Sequence, residues 1–347
     1  MKEFSPDLYN EYLLRNRKPS LAFDENADYD TWRQQVKEKL TELLGDMPEE
    51  KVPLNIRIEW EKEHDTFIEK RIIFDTEPFA SVPCHLWIPK SAKKPCPAVI
   101  CLQGHSTGMH ISMGRAIYPA EGVFEGDEEL ISGGDRDFAV QIVKEGYAAL
   151  VLEQRAFGER GSDKVKSPYH TTCIHPAMVS LLVGRTLLGG RVWDVSRAID
   201  VLELMPEIDS DRIACMGNSG GGTATYYAAA MEERIKIAMP SCAVCTFEQS
   251  IGIMRHCDCN YLPGMQKFFD MGEVAALIAP RKLVVVNGKD DNGFLLPGAL
   301  DAYDVIRRIY EKAGCKDNCR QIIGEEGHRF YANPSWDVFR ELSGWKE

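Results

Sequence analysis

The chain has 347 residues, 44% of them hydrophobic, enough to fill the core of one large α/β domain. Its formal net charge of −12 argues against nucleic acid, anionic membranes and polyanionic substrates as partners. The eleven cysteines are odd in number, and many lie in apolar runs, which suits buried reduced thiols better than a disulfide framework.

Residues 1–50 read as a charged helical extension. The opening segment MKEFSPDLYNEYLLRNRKPS lacks the apolar centre of a signal peptide, so it reads as a mature cytoplasmic start. In YDTWRQQVKEKLTELLGDMP, Trp32, Val36, Leu40, Leu43 and Leu44 share one helical face, and Pro48 is expected to end the helix. The segments NIRIEWEKE, FIEKRIIFD and VPCHLWIP then alternate polar and apolar residues, as antiparallel strands near a sheet edge do.

After Pro97 the pattern changes to short continuous apolar runs: AVICLQG, AALVLEQ, RIACMGNS, IKIAMPSC and KLVVVNG. Such runs suit strands buried on both faces of a parallel sheet, and they are too short to span a bilayer. Helical stretches separate them: DFAVQIVKEG, RVWDVSRAIDVLELMP, GGTATYYAAAMEE and PGALDAYDVIRRIYEKAG. Residues 51–347 are therefore expected to form one α/β domain with a mostly parallel sheet, ligands binding at the carboxyl ends of the strands. Three long segments, 105–136, 156–184 and 245–275, each follow a strand end. They are expected to overhang one rim, with Met109, Met113, Phe157, Tyr169, Met254, Tyr261, Leu262 and Phe268 narrowing the entrance.

In CMGNSGGGTATYYAAA, Ser219 stands among Gly217, Gly220, Gly221 and Gly222, between a buried strand and a helix. That is the context of a nucleophile elbow, although a tight turn with a capping serine has the same look. A serine hydroxyl needs a base in reach and a third group to orient that base. His328, after the last apolar run, is the best placed of the eight histidines. His64 and His85 lie upstream of the parallel sheet, and His170, His175 and His256 lie in the long segments. Asp290 and Asp291 both follow KLVVVNG, and the spacing after Gly288 favours Asp291. The order serine, aspartate, histidine on three strand ends is that of an α/β-hydrolase.

The oxyanion donors are expected to be the backbone N–H of Gly220 and that of His105 or Ser106, in QGHSTG. His105 could instead serve as a zinc ligand or a base, but its place beside Gly104 favours the backbone role. Glu153, Arg155, Glu159 and Arg160 crowd another strand end and could bind substrate or brace the oxyanion loop. Cys242, Cys245, His256, Cys257 and Cys259 have the residue types of a zinc site, but not the spacing of a structural one. They are read as buried thiols on a pocket wall, so no metal and no cofactor is expected.

The segments GNSGGG, DRDFAVQIVKEGYAALVLEQRAFGERG, GRTLLGGRVWDVSRAIDVL, CDCNYLPGM and AALIAPRKLVVVNGKDD together resemble bacterial α/β-hydrolases related to acetyl xylan esterases and dienelactone hydrolases. The resemblance spans roughly residues 50–345. It implies an α/β-hydrolase fold with Ser219, Asp291 and His328 as the triad. Ser219 stands where dienelactone hydrolases carry cysteine, and Gly220 where the more distant glucuronoyl esterases carry arginine. The resemblance also implies a serine esterase acting on short-acyl esters, acetyl on a sugar or small molecule, through an acyl-enzyme. A peptidase or C–C hydrolase using the same triad, and a non-catalytic binding protein on this fold, are the alternatives. The partner expected is a small-molecule ester, with homo-oligomerisation left open.

Overall fold

The computed structural model describes residues 4–116, 125–165 and 172–345. Nine strands form one sheet in the order β1-β2-β3-β5-β4-β6-β7-β8-β9. They are β1 (Arg57–Glu63), β2 (Phe67–Glu77), β3 (Ala80–Pro89), β4 (Cys96–Leu102), β5 (Ala148–Leu152), β6 (Ile208–Asn218), β7 (Ile235–Ser241), β8 (Lys282–Gly288) and β9 (Cys319–Gly324). β1 to β3 pair antiparallel, and β3 joins β5 antiparallel. From β5 through β9 every pairing is parallel. The alternating segments thus form the sheet edge, and the continuous apolar runs form its parallel interior.

The described helices are α1 (Pro6–Asn16), α2 (Tyr29–Leu44), the single turn α3 (Glu125–Glu128), α4 (Phe138–Lys144), α5 (Ile174–Leu182), α6 (Leu187–Glu203), α7 (Gly220–Met231), α8 (Met271–Ala276), α9 (Leu296–Lys312) and α10 (Ala332–Ser343). They leave a separate core on each face of the sheet. On β4, Ala98, Ile100 and Leu102 join one core with residues of α2, α6, α7, α8 and α9. Val99 and Cys101 join the other, with Phe138 of α4 and Phe339 of α10. A strand packed on both faces has no polar side to show, which is why these runs are apolar throughout.

α2 buries Trp32, Val36, Leu40 and Leu44 in the first of these cores. Asp28 caps its first turn by accepting from the Thr31 N–H. The helix stops earlier than expected: Gly45, at φ 90°, ends it three residues before Pro48. α1 buries no residue, and between it and the 247–267 segment lies a groove of about 760 Å³.

The long segments pack differently from the sequence expectation. Met109 and Met113 are buried in the second core and Leu262 in the first, with Phe268 packed against that core. Phe157 is fully buried in a small third cluster. Met254 and Tyr261 line the groove beside α1. Large apolar side chains in loops are drawn from water just as those in helices are, so Met109, Met113, Phe157 and Leu262 anchor the loops rather than line an entrance. Tyr169 lies outside the described residues. Among the described residues, no helix is long and apolar enough to cross a membrane.

β4 is followed by β5 on one side and then, across the chain reversal, by β6 on the other. The crevice between the ends of β4 and β6 is therefore the switch point at which open α/β sheets place their ligands.

Candidate active site

Ser219 sits at that crevice, between β6 and α7, with φ 57° and ψ −125°. A non-glycine residue in this region is strained by about 1–3 kcal/mol and has to be held there by its surroundings. Its N–H donates to the Ser241 carbonyl at 2.8 Å. Its side chain makes no capping bond to α7, so the hydroxyl is not spent on the helix. The glycines around it allow close backbone approach. A Cβ on Gly221 would lie 2.0 Å from the Leu102 carbonyl oxygen, and one on Gly217 would lie 2.5 Å from the same atom.

His328 follows β9, and its Nδ1 lies 2.8 Å from Asp291 Oδ2. The other Asp291 oxygen accepts the N–H groups of Gly293 (2.7 Å) and Phe294 (3.1 Å). Asp291 is buried, which opposes its charge. The hydrogen bond and charge of His328 outweigh that and hold the carboxyl below its ordinary value. Asp290 is exposed, and its N–H donates to the carbonyl of Glu326, in the loop after β9, at 3.0 Å. Phe294 stacks on the His328 ring, with centroids 5.9 Å apart and planes 12° apart. His256 does not join the pair; its Nε2 contacts the Gly293 carbonyl at 3.0 Å.

The loop after β4 passes over the elbow. A Cβ on Gly104 would lie 3.1 Å from the Ser219 Cβ. A Cβ on Gly220 would lie 2.5 Å from His105 Cε1, so the imidazole occupies the space beside the serine that a side chain at 220 would need. Glu153 braces this loop from β5, accepting from Gln103 Nε2 at 2.7 Å and from the Met109 N–H at 3.2 Å. Arg155 and Arg160 both donate to the buried Asp194, and Glu159 accepts from Arg71. All three are therefore engaged in ion pairs with Asp194 or Arg71.

Burial pushes the Glu153 carboxyl from its ordinary value of 4.5 up to about 7. A raised carboxyl is costly to the folded state once it ionises. That cost is absent below the unfolded value of about 4.5 and complete above about 7, roughly 3 kcal/mol at most. Glu153→Gln is expected to remove this group's share of the stability loss between those limits. Urea unfolding at a series of pH values checks it, and an unchanged pH slope would refute it.

Several groups were not marked by the sequence. Arg136 is buried and donates to the His328 carbonyl at 2.9 Å. Its NH1 would lie 3.6 Å from a Cβ on Gly104, so the guanidinium lies beside the loop after β4 as well as the histidine. Phe294 was likewise missed. Only the contacts reveal these two, because neither belongs to a spaced motif.

The cysteines divide in an unexpected way. Cys245 is buried in the first core. Cys242 lies beside Asp291 and His328. Cys257 and Cys259 instead meet His105 and Cys173, a cysteine that spacing did not connect to them. His64 and His85 bind Glu69 on the antiparallel edge, and His175 is exposed on α5. His170 lies outside the described residues.

A strained serine at the switch point of a mostly parallel sheet, with a histidine–aspartate pair on later strand ends, belongs to the α/β-hydrolase fold. The chain is a member of the Abhydrolase family, whose model matches residues 8–329. It is 27% identical over 320 residues to YtaP of Bacillus subtilis (strain 168), which is named as a hydrolase, covering 90% of this chain and 99% of that one. It is 25% identical over 216 residues to a 4-O-methyl-glucuronoyl methylesterase of Phanerochaete carnosa, covering 54% of this chain and 52% of that one. A Bacteroides fragilis structure named as an acetyl xylan esterase shares the fold with a TM-score of 0.75 at 18% identity, covering 96% and 84% of the two chains. A glucuronoyl esterase from Solibacter usitatus does so at 0.67 and 16% identity, covering 95% and 98%.

Proposed function

We propose that the protein is a carboxylic ester hydrolase in which Ser219 is the nucleophile, His328 the base and Asp291 the group that orients it. The observation that carries this reading is the 2.8 Å contact between His328 Nδ1 and Asp291 Oδ2. With Nδ1 held by the carboxylate, Nε2 is the nitrogen left to take the serine proton. Ser219 Oγ then bonds to the ester carbonyl carbon. The carbonyl oxygen becomes an anion, stabilised by the N–H groups of Gly220 and His105 and by the positive end of α7. Collapse breaks the bond to the alcohol, which leaves with the proton from His328. Water, deprotonated by His328, releases the acid from the acyl-enzyme and restores Ser219.

The substrate proposed is a short-acyl ester, acetyl on a sugar or other small molecule. Support comes from the acetyl xylan esterases that share the fold. The test is kcat/KM across acetyl, butyryl, octanoyl and palmitoyl p-nitrophenyl esters, together with an acetylated xylo-oligosaccharide and methyl glucuronate. Acetyl or butyryl esters should exceed octanoyl by at least about tenfold, since each misplaced methylene costs about 1–3 kcal/mol. Preference for octanoyl or longer chains would overturn the acyl assignment. Turnover of methyl glucuronate above every acetyl ester would overturn the substrate class.

A further inference from the structure

Beside the elbow, four side chains from the three long segments converge. His105 comes from the first, Cys173 from the second, and Cys257 and Cys259 from the third. Their ligand-capable atoms, one per residue, all lie within 4.8 Å of one another. His105 Nε2 is 3.2 Å from Cys259 Sγ, and the sulfurs of Cys257 and Cys259 are 3.4 Å apart. A tetrahedral zinc with Zn–S near 2.3 Å and Zn–N near 2.0 Å spaces its ligand atoms about 3.5–3.8 Å apart. The four groups thus stand close to the geometry of a Cys₃His site. We propose that His105, Cys173, Cys257 and Cys259 bind a zinc ion that ties the three loops together beside Ser219.

Charge supports this assignment. Arg191, on α6, is fully buried and donates to Cys259 Sγ at 3.2 Å and to Cys173 Sγ at 3.3 Å. Its other hydrogen bonds go to the Arg155 carbonyl, and it pairs with no carboxylate among the described residues. Three thiolates and one divalent ion leave a single negative charge, which the Arg191 guanidinium cancels. A buried site that sums to zero avoids the cost of an unpaired charge. N–H groups aimed at metal-bound sulfur are also the usual outer shell of such sites. With four protein ligands the site is closed, so the ion is structural and takes no part in the chemistry at Ser219. Its effect there is positional: it fixes His105, whose ring packs on Gly220.

The test reads metal content and does not depend on the role of Ser219. The full chain, made without a histidine tag, should hold about one zinc by elemental analysis. Stripped with chelator and titrated with Co²⁺ alone, it should show thiolate-to-cobalt charge-transfer absorption and the intense visible bands of a tetrahedral ion. Cys257→Ser, Cys259→Ser and Cys173→Ser should each weaken zinc binding at least about a hundredfold, and Arg191→Met by about 10–100-fold. Cys315→Ser, remote from the cluster, should retain the ion. Three results would overturn the proposal. They are wild-type protein that holds no zinc even after titration with Zn²⁺, zinc content unchanged in the Cys257→Ser/Cys259→Ser double variant, or a disulfide among Cys173, Cys257 and Cys259 in anaerobically purified protein. The wild-type measurements keep the test decisive even if a variant fails to fold.

Discussion

Ser219→Ala should lower kcat on acetyl esters by about five to six orders of magnitude, because triad members act as a unit and loss of the nucleophile removes the covalent route. The same change should leave the fold intact. The Ser219 hydroxyl makes no capping bond, so its loss leaves no backbone donor unsatisfied. Alanine also keeps the Cβ, so the strain at φ 57° is unchanged, and unfolding free energy should stay within about 0.5 kcal/mol of wild type. Ser219→Gly is the informative companion. Glycine adopts this backbone conformation without strain, so the variant should be more stable by about 1 kcal/mol and equally inactive. Rates on p-nitrophenyl acetate and thermal melts of the three proteins check this. Near-wild-type turnover in either variant would remove Ser219 from the mechanism.

The second large effect separates neighbouring carboxylates. Asp291→Asn should cost about 10⁴ in kcat, the loss expected when the orienting group can no longer hold the correct histidine tautomer. The amide still offers one oxygen to the N–H groups of Gly293 and Phe294, so the turn survives. What it loses is the anion facing His328 Nδ1. An amide NH₂ turned toward that nitrogen donates to it and puts the imidazole proton on Nε2, where it blocks proton transfer from Ser219. Asp290→Asn should change kcat by less than about threefold, because its side chain is exposed and a surface substitution of this kind perturbs little. Parallel kinetics on the two variants decide between them. A crippled Asp290→Asn beside an active Asp291→Asn would move the acid by one residue.

The fold was legible wherever burial imposes a period. Alternation in FIEKRIIFD marks a strand near the sheet edge, and the continuous run AVICL marks a strand with a core on each face. The elbow was legible because Gly217, Gly221 and Gly222 answer to backbone approach within a short stretch of chain. The loops were not. Met109, Met113 and Leu262 look like entrance residues in a segment without periodicity, yet they are buried in the two cores. The grouping of His105 with Cys259 was also invisible, because the two are 154 positions apart. Short spacing joined Cys242 to Cys245 and His256 to Cys257. The folded chain takes Cys257 and Cys259 and sets them against Cys173 instead. Arg136 illustrates the same limit: its hydrogen bond to the His328 carbonyl spans 192 positions, and no local pattern encodes such a contact.

Labelling by a fluorophosphonate probe reads out whether Ser219 is an activated nucleophile. Phosphonylation joins phosphorus to the serine oxygen as fluoride leaves, and it needs the same base and oxyanion donors as ester attack. Stoichiometric labelling of the native chain is expected, mapped by peptide mass analysis to Ser219, slowed by p-nitrophenyl acetate, and abolished in Ser219→Ala. Native protein that takes up no label, or takes it at another residue, would contradict it.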